Sequence, residues 1–406
     1  MKLDSVKKMV RNSLTLVVVA LAITGCSSEA KKPLTDRDVL MLIFEKTNGE
    51  GWRTNARENW GSELPLEQWA GVKVNAEGRV TELRINNDSI MGHYPAEIGL
   101  LTELNTLVLR IGSRDTDDQP FPTSIGDLTN LESLSLYGNI KDVEIVFPPV
   151  GKLVNLKKLD ISGAAKVPEG LGQLVNLKDF EFNNMIGDFP AEITKLTSLE
   201  RIFIRGDKFT GSLPADIGNL KNLTFLLIDK SQFIGRVEPL KGTLPESLWD
   251  LENLDNIFLR SVATDGTLSP KIANLKKVTS INIISCGLTG EIPNEVYTLT
   301  QLKSFEVYNN SLTGKIAPEI GNLTALEYFW VNDNQLSGTL PATMGKMLKL
   351  KSLQVQNNQF TGAIPAELAK CPLDGVFIKF KGNQFSPNIA PALKAHPKFD
   401  KWDISK

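Results

Sequence analysis

Three cysteines, two histidines and a periodic series of aromatic and arginine residues are the side chains from which any chemistry of this chain must be drawn. His93 and His396 stand near opposite ends of the sequence, so neither a shared metal site nor a hydrolase triad is expected from them. The G-x-S-x-G, H-E-x-x-H, phosphate-loop and dinucleotide-binding patterns do not occur. Cys26 has the most informative surroundings. It follows a basic stretch (Lys7, Lys8, Arg11) and the apolar run Leu14 to Ile23. Ten apolar residues are too few to span a bilayer as a helix and fit the apolar core of an export signal.

The tetrapeptide Ile23-Thr24-Gly25-Cys26 resembles the bacterial lipobox. That resemblance implies cleavage after residue 25 and acylation of Cys26, each buried methylene contributing about 0.8 kcal/mol to membrane attachment. Residues 26–35 are polar and read as a tether. The expectation is a lipid-anchored protein of the bacterial cell envelope, placed in the outer membrane. Glu29 with Lys31 and Lys32 leaves its periplasmic or surface face open.

The elements that would position a site emerge from self-similarity. A leucine-type residue opens each unit at 104, 131, 156, 177, 199, 223, 254, 278, 302, 326 and 350. The last four intervals are all 24 residues. Each unit reads L-x-x-L-x-L, and inward residues two apart specify a short strand with alternate side chains facing the core. Asn139, Asn310, Asn334 and Asn358 recur just after the strand, where a buried amide can serve the turn. Phrases such as Leu336-Ser-Gly-Thr-Leu-Pro341 and Phe360-Thr-Gly-Ala-Ile-Pro365 follow. Proline there suits a back face without regular pairing.

These phrases resemble the plant-type leucine-rich repeat over roughly Val80 to Phe385. The resemblance implies an α/β solenoid of about twelve repeats: a horseshoe with a parallel sheet on its concave face, an irregular convex side and an N-terminal helical cap. The family motif accepts Cys in place of the ladder Asn, which assigns Cys286 a structural role. The units at Leu156 and Leu177 lack the full L-t-G-x-I-P phrase. Residues 36–79 resemble the cap that precedes such repeats, with Trp69-Ala-Gly-Val-Lys-Val74 where the family has W-x-G-V-x-C. The cap cysteine is missing, so Trp52, Trp60 and Trp69 must replace a disulfide by packing. The solenoid is expected over 80–386 and a C-terminal cap with Trp402 over 387–406. Cys286 and Cys371 lie three strand spacings apart, about 14 Å, too far for a disulfide.

The register also says which side chains face outward on the concave sheet. One column carries Phe203, Leu227, Phe258 and Trp330, and the next carries Arg205, Asp229, Arg260, Ile284 and Tyr308. Apolar and aromatic residues beside arginine match the makeup of binding hot spots. The candidate partner-binding residues are therefore Arg201, Phe203, Arg205, Leu227, Asp229, Phe258, Arg260, Ile284, Tyr308 and Trp330, extended by Tyr328. An insertion around Gln232 to Gly242, in the longest unit, is placed to fold over this patch.

Net charge is −2, or about −5 without residues 1–25. No basic excess is left for phosphates, so nucleic acid is not an expected partner. Carboxylate pairs of the glycosidase type exist by composition, but solenoid strands do not build the dry pocket such chemistry needs. The sequence therefore implies a non-catalytic protein without cofactor or metal. It would bind a protein or peptide through its concave face, with a glycan-binding lipoprotein or an adhesive spacer as alternatives. The membrane would be contacted only through lipid on Cys26.

Overall fold

The computed structural model describes residues 32–86, 90–112, 121–138, 143–230 and 239–404. Cys26, the export signal, Asn139 and most of the Gln232–Gly242 insertion lie outside these residues. The repeat unit determines the architecture: each L-x-x-L-x-L segment forms a strand, and each strand pairs only with the units before and after it. The main sheet begins with β1 (Val72–Val74), which pairs antiparallel with β2 (Val80–Ile85). Every later neighbour is parallel. The order is β3 (Thr106–Arg110), β4 (Ser133–Tyr137), β5 (Lys158–Ala165), β6 (Asp179–Asp188), β7 (Arg201–Arg205), β8 (Phe225–Asp229), β9 (Asn256–Arg260), β10 (Ser280–Ile284), β11 (Ser304–Glu306), β12 (Tyr328–Trp330), β13 (Ser352–Gln354) and β14 (Ile378–Lys379). The register is unbroken from β6 through β13, so Phe180, Ile202, Leu226, Ile257, Ile281, Phe305, Phe329 and Leu353 form one inward row. All are at most 1% exposed. Parallel sheets with one face on a core need such a shared interior.

The backbone groups left over at the strand ends are satisfied by amides. Asn334 Nδ2 donates to the carbonyls of Val307, Val331 and Asn332 at 3.0, 3.1 and 3.2 Å, while its Oδ1 accepts from Leu312 N at 3.0 Å. Asn310 and Asn358 repeat the arrangement, and Asn383 extends it one unit beyond the sequence reading. Cys286 holds the same position, fully buried, its Sγ 3.3 Å from Ile284 O, and burial pushes its thiol up to about 11. Cys286 and Cys371 are both unbridged. Before each ladder residue the chain enters the left-handed region, with φ of 53–55° at Ser261, Ser285, Asn309, Asp333 and Asn357. Short polar side chains tolerate that geometry best after glycine. A second amide ladder runs along the opposite strand ends: Asn130, Asn155, Asn176, Asn222 and Asn253 each donate to a carbonyl of the preceding unit at 2.8–2.9 Å. Its signal is the L-x-N-L that precedes β4, β5, β6, β8 and β9.

The back of the solenoid is more regular than its prolines suggest. Ile186–Asp188 pairs with Lys208–Thr210, Gly266–Thr267 with Leu288–Thr289, and Ser337–Gly338 with Gln359–Gly362. The hydroxyl of the L-t-G phrase reinforces the pairing in the later units: Thr289, Ser337 and Thr361 each donate to the glycine carbonyl of the previous unit at 3.2–3.3 Å. The prolines fall elsewhere. Pro95, Pro122, Pro190, Pro245, Pro293, Pro341 and Pro365 each stand immediately before a 3-10 turn, where no donor is lost. The short units at Leu156 and Leu177 compensate with longer strands, β5 and β6.

The first end of the stack is closed by helix α1 (Asp36–Lys46) and the tryptophans. Asp36 accepts from Val80 N at 2.7 Å and from Arg79 Nε at 3.0 Å, fixing the helix start to β2. Phe44, Trp52, Trp60 and Trp69 form a chain of ring contacts at 5.1–5.4 Å, with Phe44 also stacked on Trp60 at 6.0 Å. The three tryptophans are at most 7% exposed, so they pack and present no ring to a sugar. At the other end Trp402 is buried against Phe380, His396 and Phe399, and Asp403 bridges to Lys379.

Candidate recognition surface

The outward columns of the sheet carry the candidate site. Phe203, Leu227 and Phe258 are direct register partners on β7, β8 and β9, as are Arg205, Asp229 and Arg260. Arg260 pairs with Ile284 on β10, and Ser285 N donates to Tyr308 O, placing Tyr308 next in line. Arg201 stands on β7 beside Phe225 of β8, and Trp330 pairs with Glu306 two strands beyond β10. All ten residues singled out from the sequence thus lie on one face.

They do not all reach the surface. Leu227 is 8% exposed, Asp229 7% and Ile284 2%. A branched or short side chain between larger neighbours is overhung by them, so these three support the surface and Phe203, Phe258 and the arginines form it. The sequence reading also omitted Phe225. It occupies the first outward column, which the same register makes legible.

Guanidinium groups cover the phenylalanine rings. Arg201 lies 5.2 Å from the Phe203 centroid and 5.1 Å from Phe225, Arg205 4.7 Å from Phe203, and Arg260 4.9 Å from Phe258. Each such contact contributes about 0.5–1 kcal/mol at an exposed site. Arg201 is held in place by Asp179 Oδ1 at 2.9 Å and Glu181 Oε2 at 3.2 Å. Arg205 and Arg260 are less committed: both approach Asp229 only to 3.9 and 3.8 Å, beyond hydrogen-bond distance. Among the described residues Asp229 Oδ1 and Arg260 Nε are buried without a hydrogen-bond partner. Beside the arginines the sheet is acidic. Tyr137 donates to Asp160 Oδ2 at 2.6 Å, and burial raises the Asp160 carboxyl above its usual range. Burial, with Asp160 alongside, pushes the Tyr137 phenol up to about 12. The surface thus offers apolar rings, two under-committed guanidinium groups and an adjoining negative strip. Among the described residues no cluster of His, Cys, Asp and Glu has metal-holding geometry, and no helix is long and apolar enough to cross a membrane.

Residues 301–323 and 349–371 match the Leucine Rich Repeat family model. No curated protein sequence matches the chain. Among solved structures, the PEPR1–AtPEP1 complex is 25% identical with a TM-score of 0.69, over 89% of this chain and 54% of that one. The Arabidopsis receptor kinase HAESA, in complex with the peptide hormone IDA and the co-receptor SERK1, is 24% identical with a TM-score of 0.71, over 86% and 58%. An LRR protein of Leptospira interrogans is 24% identical with a TM-score of 0.56, over 81% and 85%. The chain therefore spans little more than half of the two plant chains, and the latter two likenesses establish the fold alone. With two units matched by sequence and the others stacked in the same register, the chain is a leucine-rich-repeat solenoid.

Proposed function

We propose that this protein is a non-catalytic envelope lipoprotein that captures a protein or peptide partner on its concave sheet, at the patch formed by Phe203, Phe225, Phe258 and their covering arginines. The observation that carries this reading is the row of guanidinium groups lying on phenylalanine rings across three adjacent strands. Rings and arginines on a rigid wall lose little side-chain freedom on binding, which is what concentrates affinity in few residues. The plant structures support it by analogy, since HAESA is seen with a peptide hormone.

A peptide selected from a displayed library against the full chain provides the test. The Phe203→Ala, Phe258→Ala double variant should bind it about 100-fold more weakly, because truncating a central aromatic anchor typically costs about 2 kcal/mol or more. Its circular dichroism should be unchanged and its stability to urea should fall by no more than about 3 kcal/mol, the scale of the three arginine–ring contacts removed, since partly exposed rings leave no enclosed cavity. Equal affinity in the double variant removes the patch from consideration.

The membrane part of the proposal rests on the sequence around Cys26. In a bacterial host, Cys26→Ala should move the chain from the membrane fraction to the soluble fraction and abolish labelling by an alkyne fatty acid. Retention of both label and membrane association would show the anchor to be elsewhere.

A further inference from the structure

The C-terminal end of the chain carries charge of the opposite sign to the rest. Residues 341–406 hold ten lysines against four acids (Glu367, Asp374, Asp400 and Asp403), a net charge of +6, and no arginine. Residues 26–340 hold 31 basic side chains against 42 acidic ones, a net charge of −11. A sign change of this size within one chain points to a surface that the basic end alone would meet. The same end exposes large apolar side chains. Leu348 is 62% exposed and Val376 57%, the two highest values for such residues among those described, and Phe377 is 46% exposed.

These residues share one edge of the solenoid. Leu348 lies on the turn that feeds β13, and Val376 and Phe377 on the turn that feeds β14, the neighbouring strand. Asp374 N donates to Lys351 O at 2.7 Å, which sets the second turn against Lys351. The C-terminal cap closes on the same place: Gly375 packs directly on Lys398 and Lys401, and Lys398 Nζ stands 3.1 Å from Asp374 Oδ1. Lys351 is engaged by Glu327 at 2.6 Å. Lys349, Lys379 and Lys401 make no ion pair among the described residues. Tyr328, 38% exposed, extends the apolar group, since Ser352 between it and Phe377 is small and buried.

We infer that this edge docks on an anionic phospholipid bilayer, with Leu348, Val376 and Phe377 entering the headgroup boundary and the lysines around them facing lipid phosphates. Two features select a bilayer over an acidic protein. The first is the cation. Lysine is strongly hydrated and depleted in protein–protein interfaces, where arginine is enriched. Every arginine of this chain lies before residue 261, and the rings of β7 to β9 are covered by arginine alone. A headgroup layer is hydrated and mobile, and attracts lysine without requiring fixed geometry. The second is shape. The apolar side chains project from turns between long lysine stems, which add apolar surface of their own. A fluid interface accepts such projections in any arrangement, whereas a protein needs a matching hollow for each. The contact sets the tilt of the concave sheet against the membrane. It depends neither on the peptide reading of β7 to β9 nor on acylation of Cys26.

The test uses the full chain carrying Cys26→Ala, so that no acyl chain contributes. Vesicles are made of phosphatidylcholine alone, or of phosphatidylcholine and phosphatidylglycerol in equal parts. Co-sedimentation should show saturable binding to the anionic vesicles only, weakening as salt rises. Each lysine near an anionic surface strengthens binding about 5-fold, so Lys349→Gln, Lys379→Gln and Lys401→Gln together should weaken it about 100-fold. Leu348→Ser with Phe377→Ser should weaken it about 10-fold or more. Both variants should keep the urea transition of the parent chain. Phe377→Trp should bind normally, and its added fluorescence should be quenched by bromine-labelled acyl chains, a signal that charge attraction alone does not give. The inference is overturned if anionic vesicles are not bound, if phosphatidylcholine is bound equally, if either variant binds undiminished, or if bromine does not quench. Displacement of the vesicles by poly-glutamate at equal charge would overturn it too, and would assign the edge to an acidic protein.

Discussion

Asn334→Ala should cost about 2–3 kcal/mol, more than its place beside a turn suggests. The side chain is 9% exposed and makes four hydrogen bonds with backbone groups of two successive units. Alanine leaves Leu312 N without its acceptor, while the carbonyls of Val307, Val331 and Asn332 each keep a second donor in Asn310 Nδ2, Asn358 Nδ2 and Asn309 N. A buried backbone group left unpaired costs about 1–3 kcal/mol. Because a solenoid couples each unit only to its neighbours, the loss should be local first. Hydrogen exchange at Leu312 should accelerate, and the urea transition should broaden or split as the C-terminal units uncouple. Asn130→Ala supplies the contrast. That amide belongs to the second ladder, is exposed, and makes one bond to Thr102 O at 2.9 Å, so its loss should stay within about 1 kcal/mol. Equal destabilisation by the two substitutions would show that the buried ladder does not hold the stack.

The contrast also shows what the sequence made legible. Strand positions and register followed directly from leucine spacing, because a period of two inside a period of about 24 admits only one set of inward residues. That is why Phe203, Leu227 and Phe258 fall on one row. Burial within an outward row was not legible in the same way. Ile284 faces the concave side by register, yet it is 2% exposed because Arg260 and Tyr308 flank it, and relative side-chain lengths across strands set that outcome. Hydrogen-bond direction was less legible still. The amide donors near Trp330 look free in the sequence, but Asn332 Nδ2 bonds Asp333 one residue on and Gln356 Nε2 bonds Gln354 two residues back. On the irregular back face the short pairings of Gly266–Thr267 with Leu288–Thr289 and of Ser337–Gly338 with Gln359–Gly362 were not legible from the prolines, which lie elsewhere in the unit. Proline marks the start of the 3-10 turn that follows.

Trp69→Ala should be the most damaging single change in the N-terminal cap, at about 3–5 kcal/mol. The family phrase ends in a cysteine that is Val74 here, so no covalent link can carry the cap. What replaces it is a column of rings. Trp69 is 2% exposed, contacts Trp60 at 5.2 Å, donates from Nε1 to Leu64 O at 3.3 Å, and lies under the Arg37 guanidinium at 5.1 Å. Arg37 in turn donates to Ser62 O and Leu64 O at 2.8 and 2.6 Å. Removing the indole therefore empties a site shared by helix α1, the 3-10 turns and β1. Trp69→Phe should recover part of the loss, since the ring contact with Trp60 survives while the bond to Leu64 does not. The consequence reaches beyond the cap. β1 and β2 are the antiparallel pair that ends the sheet, and an uncovered parallel edge invites pairing with another chain. Trp69→Ala protein should therefore show rapid exchange in β2 and β3 and concentration-dependent association, with β11 to β13 still protected. Uniform loss of protection along the whole stack would mean that the cap and the distant units unfold together, which a chain of nearest-neighbour contacts does not allow.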